Sequence, residues 1–268
     1  MSHPGAGDVH HDPAWYPDHD DLPGQRRRID EREWDVLVVL DDCRWDYFSL
    51  VDDEVEMVRT PAEEATPDWT TRTWDRDGWE DVTYVSGNPF TTYARDEDRF
   101  GVTLEERVDT YVEAFRGEDD SAWDDLLHCT RPDWMTDLAL EYLDSEGPPL
   151  VVHYLQPHLP YIGNVGVRAR HRAPFVPERE TGDDLLDTTS PAYALFHDGE
   201  LSGSLLRHAY LENLKLVWRA SERLRRRIRD DGLDGIVTAD HGEVLGPDRW
   251  GHGPPHDPRA RIVPWLRL

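Results

Sequence analysis

Three short apolar runs constrain the fold of this chain more than any other feature of its sequence. They read "WDVLVVL" at 34–40, "LVVHYL" at 150–155 and "GIVTA" at 235–239. Continuous apolar runs of this length are typical of strands that are buried on both faces of a parallel sheet. Parallel neighbours need long crossover connections, usually helices, so the runs predict an α/β fold.

Helical patterns lie between the apolar runs. They occur at Thr103–Phe115, at Trp134–Leu143 and from Leu206 to Ile228, where apolar residues recur at steps of three and four with a gap at Ser221. Asp81–Ser86 and the C-terminal "RIVPWLRL" are weaker strand candidates. Strands that alternate with helices predict an open, mostly parallel sheet flanked by helices on both faces, with right-handed crossovers.

The organisation of the chain is predicted to be simple. Residues 1–30 are rich in Pro, Gly, His and Asp without any period, and we expect a flexible, acidic and histidine-rich leader. Residues 31–268 are expected to form one α/β domain, in which 164–200 lack a period and are predicted to be a long loop or insertion. No apolar run has the length of a membrane span, and the N-terminus has no apolar signal core. We therefore expect a cytoplasmic protein.

The charge balance indicates the solvent and excludes one class of partner. Acidic residues outnumber basic residues by 56 to 29, the formal net charge is −27, and Lys215 is the only lysine. Such a surface is typical of proteins from salt-loving archaea, because concentrated salt screens its self-repulsion. Eleven tryptophans indicate a packed core rather than an acidic disordered chain. Nucleic acid is not an expected partner, since phosphate backbones require a basic surface.

Polar residues that can bind metal or phosphate accompany each apolar run. They are Asp41 and Asp42 after the first, His153, Gln156 and His158 within and after the second, and Asp240 and His241 after the third. In an open α/β sheet, ligands bind beyond the carboxyl ends of the strands, so we expect these side chains to lie close together. Asp and His suit Mn, Zn, Mg or Ca better than a soft metal. Taken singly, each residue has an ordinary explanation, such as a helix cap or a surface turn.

These segments resemble a known family. "VLVVLDDCRWD", "VVHYLQPHLPY" and "TADHGEVLG…WGHG", followed by "RIVPWL", are similar to the sulfatase-like branch of the alkaline phosphatase superfamily. The resemblance extends from Asp35 to Leu268. It implies a mixed, mostly parallel sheet between helices. It also implies an active site with one or two divalent cations and a nucleophile that attacks a phosphate or sulfate ester.

The resemblance also assigns roles to individual residues. It implies that the metal ligands are Asp41, Asp240 and His241, with Asp42 as a fourth, and that His158 and His252 contact the oxygens or the leaving group of the ester. A cation would cancel the charge of the ester and lower the pKa of the attacking oxygen. Imidazoles would donate to the ester oxygens or protonate the leaving group.

The chain departs from the sulfatases at their cysteine. Sulfatases carry Cys-x-Pro-x-Arg, whose cysteine becomes formylglycine, whereas Cys43 precedes "RWD" and Cys129 precedes "TRP". Neither segment matches, so a phosphate ester is favoured over a sulfate ester as the substrate.

Phosphate-handling relatives use Ser or Thr at the start of a helix, and the matching region is "TPAEEATPDWTTRTW". Thr60 begins a capping box with Glu63, which is a sufficient structural reason for it. Thr66 is the predicted nucleophile, because the proline that follows it suits a first helical turn whose free amides favour an anion. The register of the family points instead to Ala65, and Thr70 or Thr71 is an alternative.

The sequence therefore predicts a metal-dependent hydrolase or transferase that acts on a phosphate or sulfate ester of a small molecule or glycan. The first alternative is a catalytically degenerate member that binds a phosphorylated or sulfated glycan, as the alanine at 65 would favour. The second is a metal-independent fold in which the histidines are only structural.

Overall fold

The three apolar runs are neighbouring strands in a computed structural model of the chain, which describes residues 12–96, 100–116, 121–166, 202–246 and 249–268. Eleven strands occur in the described residues. They are β1 (Val36–Leu40), β2 (Glu56–Arg59), β3 (Thr83–Ser86), β4 (Thr110–Glu113), β5 (Trp123–Asp124), β6 (Cys129–Thr130), β7 (Leu150–Tyr154), β8 (Gly235–Ala239), β9 (Val244–Leu245), β10 (Trp250–Gly251) and β11 (Ile262–Arg267).

Seven α-helices have bounds in the same residues. They are α1 (Gln25–Asp30), α2 (Trp45–Phe48), α3 (Thr66–Trp74), α4 (Pro132–Ser145), α5 (Gly203–Ala220), α6 (Glu222–Asp230) and α7 (Pro258–Arg261). Short 3₁₀ helices cover Pro13–Trp15, His19–Asp21, Pro89–Arg95 and Leu104–Glu106. The predicted helices at Trp134–Leu143 and Leu206–Ile228 are confirmed as α4 and as the pair α5 and α6, which meet at Ser221.

The central sheet has seven strands in the order β2-β11-β8-β1-β7-β3-β4. The five strands from β8 to β4 are parallel, whereas β11 runs antiparallel to both of its neighbours. Every residue of β1, β7 and β8 is buried, as the apolar runs predicted. Helices α4, α6 and α2 pack against β7, β8 and β11. The prediction of a mostly parallel sheet flanked by helices is therefore confirmed.

One predicted helix is wrong. Thr103–Phe115 contains only a 3₁₀ turn at Leu104–Glu106, followed by β4. Its second half contains "TYVE", whose two β-branched residues and one aromatic residue favour a strand, and this segment pairs in parallel with β3. This long-range pairing overrides the helical spacing of the buried Leu104 and Val108. The predicted insertion at 164–200 lies almost entirely outside the described residues.

The predicted boundary at residue 30 does not correspond to a boundary in the structure. Residues 1–11 lie outside the described part, but the following segment packs onto the domain: Tyr16, Gln25 and Ile29 are buried. The Tyr16 hydroxyl donates to Asp46 Oδ2 at 2.7 Å. The polar composition of this segment suggested a flexible leader because its few anchoring side chains are separated by exposed residues.

Candidate active site

The candidate site lies at the carboxyl edge of the parallel strands. Leu40 at the end of β1 pairs with Ala239 at the end of β8 and with Tyr154 at the end of β7. Because these ends are level, the residues that follow them meet at one edge. The Asp41 amide donates to Tyr154 O at 3.1 Å, and the Asp42 amide donates to Asp240 Oδ1 at 3.2 Å. Asp42 adopts a positive φ of 62°, which turns the chain sharply after β1.

Four side chains form what we call the inner half of the site: Asp41, Thr66, Asp240 and His241. The Thr66 hydroxyl donates to Asp240 Oδ2 at 2.7 Å and lies 3.3 Å from Asp41 Oδ1. His241 Nε2 lies 3.5 Å from the Thr66 oxygen and 3.6 Å from Asp41 Oδ1. All four residues are buried. The structure therefore brings together the predicted nucleophile and three of the four predicted metal ligands; the fourth, Asp42, lies beside them with Oδ1 2.7 Å from His241 Nδ1.

The other threonines of this region are not at the centre of the site. The capping-box prediction at Thr60 is wrong, because α3 begins at Thr66 with Ala65 as its N-cap, and the Thr60 hydroxyl donates to Asp240 O instead. The Thr71 hydroxyl donates to Pro67 O at 2.9 Å within the helix. Thr66 is thus the only one of these threonines with a hydroxyl bonded to a predicted ligand carboxylate in the described residues.

Asn88 is a site residue that sequence reasoning missed. It follows β3, and its Nδ2 donates to Thr66 Oγ1 at 3.2 Å. Its Oδ1 accepts from Phe90 N at 2.9 Å, which fixes the orientation of the amide at the start of a 3₁₀ helix. The available signal was its place after a strand candidate, "DVTYVS", at the same sheet edge.

Three side chains form the outer half of the site: Asp42, His158 and His252. Asp42 Oδ2 lies 3.4 Å from His158 Nε2, and Asp42 Oδ1 lies 3.8 Å from His252 Nε2 and 2.7 Å from His241 Nδ1. His158 Nδ1 lies 2.6 Å from Leu159 O, so Nδ1 carries the proton and Nε2 faces Asp42. The His252 side chain is 44% exposed, which opens this half to solvent.

The remaining polar residues of the second run stand behind the site. His153 is fully buried on β7, with Nε2 3.6 Å from Asp240 Oδ2 and Nδ1 2.8 Å from the Tyr84 hydroxyl. Gln156 donates to Thr130 O at 2.9 Å and supports a loop rather than the site.

Burial and like charges raise the pKa of Asp41 and Asp42, whereas neighbouring histidines and a hydroxyl donor lower the pKa of Asp240. Burial, together with the charges of Asp240 and Asp42, raises the pKa of Asp41 well above its usual range. Burial also raises the pKa of Asp42 to about 8, partly offset by a hydrogen bond with the Glu243 side chain. Burial disfavours the ionised form of Asp240, but His241 and neighbouring donors lower its pKa on balance. Burial lowers the pKa of His158 to about 4, so this imidazole is neutral at pH 7.

The donor set fits a divalent cation. Asp41, Asp240 and His241 offer ligand atoms within 4.8 Å of one another, and so do Asp42, His241 and His252. Asp41 Oδ2 is buried without a hydrogen-bond partner, and the buried Asp42 carboxylate has His241 Nδ1 2.7 Å from its Oδ1. Among the residues that the structure describes, the ion-pair contacts of these carboxylates are all with histidines. Buried carboxylates without a cationic partner are costly, and a bound cation would compensate them.

A cavity of about 440 Å³ opens beside the site. It is lined by Glu63, Glu64, Ala65, Arg249, His252, Gly253, Pro254 and Pro255. His252 belongs to the outer half, so the cavity adjoins that half of the site, and Ala65 on its wall directly precedes the nucleophile candidate in the chain.

Known structures share this architecture. The chain matches the integral membrane protein lipooligosaccharide phosphoethanolamine transferase A from Neisseria meningitidis with a TM-score of 0.50 at 16% identity, over 86% of this chain and 46% of that one. The chain has the alkaline phosphatase-like fold. The fold that the resemblance implied, a mostly parallel sheet between helices, is therefore confirmed.

Two further matches have TM-scores below 0.5. The soluble domain of the same transferase gives 0.49 at 17% identity, over 86% of this chain and 74% of that one. A phosphonate monoester hydrolase from Agrobacterium radiobacter gives 0.45 at 15% identity, over 88% and 68%. This chain spans about half the length of the full transferase. No family model and no curated protein matches the sequence.

The full transferase is described as an integral membrane protein. In the described part of this chain, no helix combines the length and the apolar character needed to cross a bilayer.

Proposed function

We propose that this protein is a metal-dependent enzyme that hydrolyses or transfers a phosphate ester, with Thr66 as its nucleophile. The observation that carries the proposal is the Thr66 hydroxyl, which lies between the Asp41 and Asp240 carboxylates and within 3.5 Å of His241 Nε2. A threonine with only a capping role would not need two buried carboxylates beside its oxygen.

The residues of this chain can prepare the attack. Asp240 Oδ2 accepts the Thr66 proton, which points a lone pair of the oxygen away from that carboxylate. The Asn88 amide donates to the same oxygen and limits its rotation. Attack would form a bond between Thr66 Oγ1 and phosphorus while the bond to the leaving oxygen breaks; the Thr66 proton passes to Asp240 Oδ2, and a water molecule protonates the leaving oxygen. Water or an acceptor alcohol would then form a bond to phosphorus, lose its own proton to solvent and release Thr66, which takes its proton back from Asp240.

Asp41, Asp240 and His241 would hold the cation, with Asp42 as the further candidate. When bound, a divalent cation would neutralise charge on the ester and lower the pKa of the attacking hydroxyl. The rotamer of Thr66 is fixed by its contacts with the same carboxylates, so nucleophile and ligands are pre-arranged.

The outer half would contact the ester oxygens or the leaving group. His158 is held by Leu159 O with its Nε2 towards the site, and in its neutral form this atom accepts a hydrogen bond from an alcohol or water. His252 lies on the wall of the cavity, where the organic group of the ester would bind.

A phosphate ester is favoured over a sulfate ester. Neither cysteine lies in a Cys-x-Pro-x-Arg segment, and burial raises the pKa of the Cys43 thiol, so Cys43 is not a thiolate nucleophile. Cys129 is also buried.

Elemental analysis of the purified protein, coupled to a screen of chromogenic phosphate monoesters, diesters, phosphonates and sulfate esters, tests the proposal. We expect at least one bound divalent cation and turnover of a phosphate or phosphonate ester. Bound cation without turnover on any ester would favour a degenerate binding protein. A metal-free protein that does not take up Zn²⁺ or Mn²⁺ would reject the metal-dependent enzyme.

We further propose that the protein is halophilic and acts in the cytoplasm of its host. The excess of 56 acidic over 29 basic residues supports the first part, because the screening length falls to about 3 Å at 1 M salt. Far-UV circular dichroism across a salt titration should show loss of native signal at low salt. An unchanged melting temperature at about 50 mM salt would reject the halophilic interpretation, since the screening length there exceeds about 10 Å and neighbouring surface charges within it still repel one another. The cytoplasmic location stays a prediction.

A further inference from the structure

The N-terminal helix carries one polar side chain into the space between β8 and α3. Gln25 is the first residue of α1 and is fully buried. Its Nε2 donates to Thr238 Oγ1 at 2.7 Å and to Ala239 O at 2.6 Å. Its Oε1 accepts from Trp69 Nε1 at 2.9 Å. One amide therefore joins a strand and a helix that are far apart in the sequence.

The hydrogen-bond pattern allows only one orientation of this amide. The Thr238 hydroxyl donates its own hydrogen to Pro264 O at 2.7 Å, so towards Gln25 it can only accept. Ala239 O is an acceptor, and the indole N–H of Trp69 is a donor. A rotated amide would face two acceptors with its oxygen and a donor with its N–H₂, so Gln25 is locked in place.

The two elements that Gln25 joins are the ones that carry the reacting pair. Ala239 immediately precedes Asp240 at the end of β8, and Trp69 lies one turn after Thr66 on α3. The Thr66 hydroxyl and Asp240 Oδ2 are 2.7 Å apart across the same gap. Gln25 is thus bonded beside both members of the pair.

We propose that Gln25 is a positioning residue that sets the distance between the Thr66 hydroxyl and the Asp240 carboxylate. This inference rests on the proposed function, because the distance matters for turnover only if Thr66 attacks the ester. A purely structural role would lower stability when the hydrogen bonds are lost and would leave the turnover of the folded protein unchanged. A positioning role lowers kcat, since a displacement of about 1 Å in a reacting group can cost roughly a hundredfold in rate.

Three variants separate these roles. Gln25→Leu removes all three hydrogen bonds at similar volume. Gln25→Glu keeps the acceptor for Trp69 but replaces the two donors to β8 with an oxygen. Trp69→Phe removes, of the three hydrogen bonds, only the one from α3, together with part of a buried ring that packs against Trp74 and His153. Ile29→Val is the matched control, because Ile29 is a fully buried core residue of the same helix. This substitution should destabilise the protein while the Gln25 amide and its hydrogen bonds remain.

The measurements are kcat and KM on a chromogenic phosphate ester at saturating cation, the unfolding midpoint, and a crystal structure of Gln25→Leu. We expect kcat of Gln25→Leu to fall roughly tenfold to a hundredfold. KM should change by less than about threefold, as for an interaction that acts in the transition state. Gln25→Glu should show a similar fall in kcat, and Trp69→Phe should show a smaller fall in kcat. The double variant Gln25→Leu/Trp69→Phe should be no slower than Gln25→Leu, because the two changes remove one shared bond.

The proposal is overturned if Gln25→Leu keeps the wild-type kcat while its unfolding midpoint falls, as expected for Ile29→Val. It is also overturned if the Thr66–Asp240 distance stays at 2.7 Å in the crystal structure of Gln25→Leu. Should Gln25→Leu fail to fold, Gln25→Glu and Trp69→Phe decide the question by the same measurements. If the wild-type protein turns over no ester, the proposed function fails, and the crystallographic distance alone then decides whether Gln25 sets the spacing.

Discussion

The inner and outer halves of the site differ in their exposure to solvent. In the inner half the Thr66 hydroxyl bonds to Asp240 and the side chains are no more than 2% exposed. In the outer half the His252 side chain is 44% exposed and lines the cavity. The inner half is therefore closed off from solvent, whereas the outer half can be reached by a substrate through His252.

The difference follows from the elements that supply each half. Asp41 and Asp240 directly follow adjacent parallel strands, and Thr66 opens a helix, so the backbone positions all three. His158 lies in the loop after β7, and His252 directly follows β10. Groups on regular elements suit a ligand set that must not move, and groups on loops suit contact with a substrate.

The largest expected effect comes from removing an inner carboxylate. Asp240→Ala or Asp41→Ala should abolish cation binding and reduce turnover to background, because each is one of three proposed ligands. The loss of cation affinity should exceed the roughly 10- to 100-fold that the loss of a group behind a ligand costs. Elemental analysis and titration with Zn²⁺ or Mn²⁺ measure the effect.

Asp257→Asn is the matched control for these variants. Asp257 is a buried carboxylate that pairs with Arg259, and it is not among the candidate ligands. This variant should keep the cation. Full cation occupancy in Asp240→Ala would place the cation outside the inner half and contradict the proposal that the inner half holds it.

The next effect separates the nucleophile from the ligands within the inner half. Thr66→Ala should lose on the order of a thousandfold or more in kcat, because the attacking oxygen is gone. It should keep the cation, since Asp41, Asp240 and His241 remain. Thr66→Ser should retain part of the rate. Steady-state kinetics and elemental analysis on the same preparation check both statements.

Thr71→Ala is the control on the same helix, because its hydroxyl bonds only to Pro67 O among the described residues. The kcat and the cation content of Thr71→Ala should be close to those of the wild-type protein. Wild-type turnover by Thr66→Ala would assign attack to another group, such as a water molecule.

A smaller effect is expected in the outer half. His158→Ala and His252→Ala should each reduce kcat roughly a hundredfold, as for loss of a group that exchanges protons or hydrogen bonds with the ester. Cation content should stay near normal. A fall from two cations to one per chain in His252→Ala would instead make the Asp42, His241 and His252 group a second cation site and would contradict the substrate role.

The sequence predicts the residues of the inner half better than it predicts the residues that hold them in place, Asn88 and Gln25. Asp41 and Asp240 could be assigned because the end of a buried parallel strand is visible in the sequence as the change from apolar to polar residues. Residues that follow neighbouring parallel strands meet at one edge of the sheet. Asn88 and Gln25 could not, because their roles depend on which distant groups the fold brings to them: Thr66 for the first, and Thr238 with Trp69 for the second.

The same limit explains the two errors in the fold. Thr110–Glu113 forms a strand because β3 is available beside it, and no local pattern reports that neighbour. The segment before residue 30 was predicted to be flexible because it lacks a period, yet Tyr16 and Gln25 anchor it through single side chains. Local patterns give the elements, and long-range pairing decides which of the ambiguous segments become ordered.

The smallest expected effect is a pH dependence that distinguishes the two halves without any substrate. In the cation-free protein, burial and neighbouring charges raise the pKa of Asp41, and burial raises the pKa of Asp42 to about 8. A carboxyl group whose pKa is raised in the folded state stabilises that state fully below its unfolded value of about 4, and the contribution is lost as pH rises. The melting temperature of the cation-free protein should therefore fall between about pH 4 and pH 8 at constant high salt.

The ionisation of Asp240 changes the stability of the folded state in the opposite direction, at pH values below the range from about pH 4 to pH 8. Its pKa is lowered in the folded state, so its contribution is present above about pH 4 and is lost only as pH falls further. Saturating Zn²⁺ or Mn²⁺ should abolish the decline between pH 4 and pH 8, because the cation binds the ionised carboxylates and affinity rises with pH. Asp42→Asn should make the decline shallower across the whole window from about pH 4 to pH 8 and leave the remainder, which belongs to the inner Asp41. A decline that is the same in Asp42→Asn and in the wild type would show that Asp42 is ionised throughout this range, and the outer half would then carry a full negative charge without its cation.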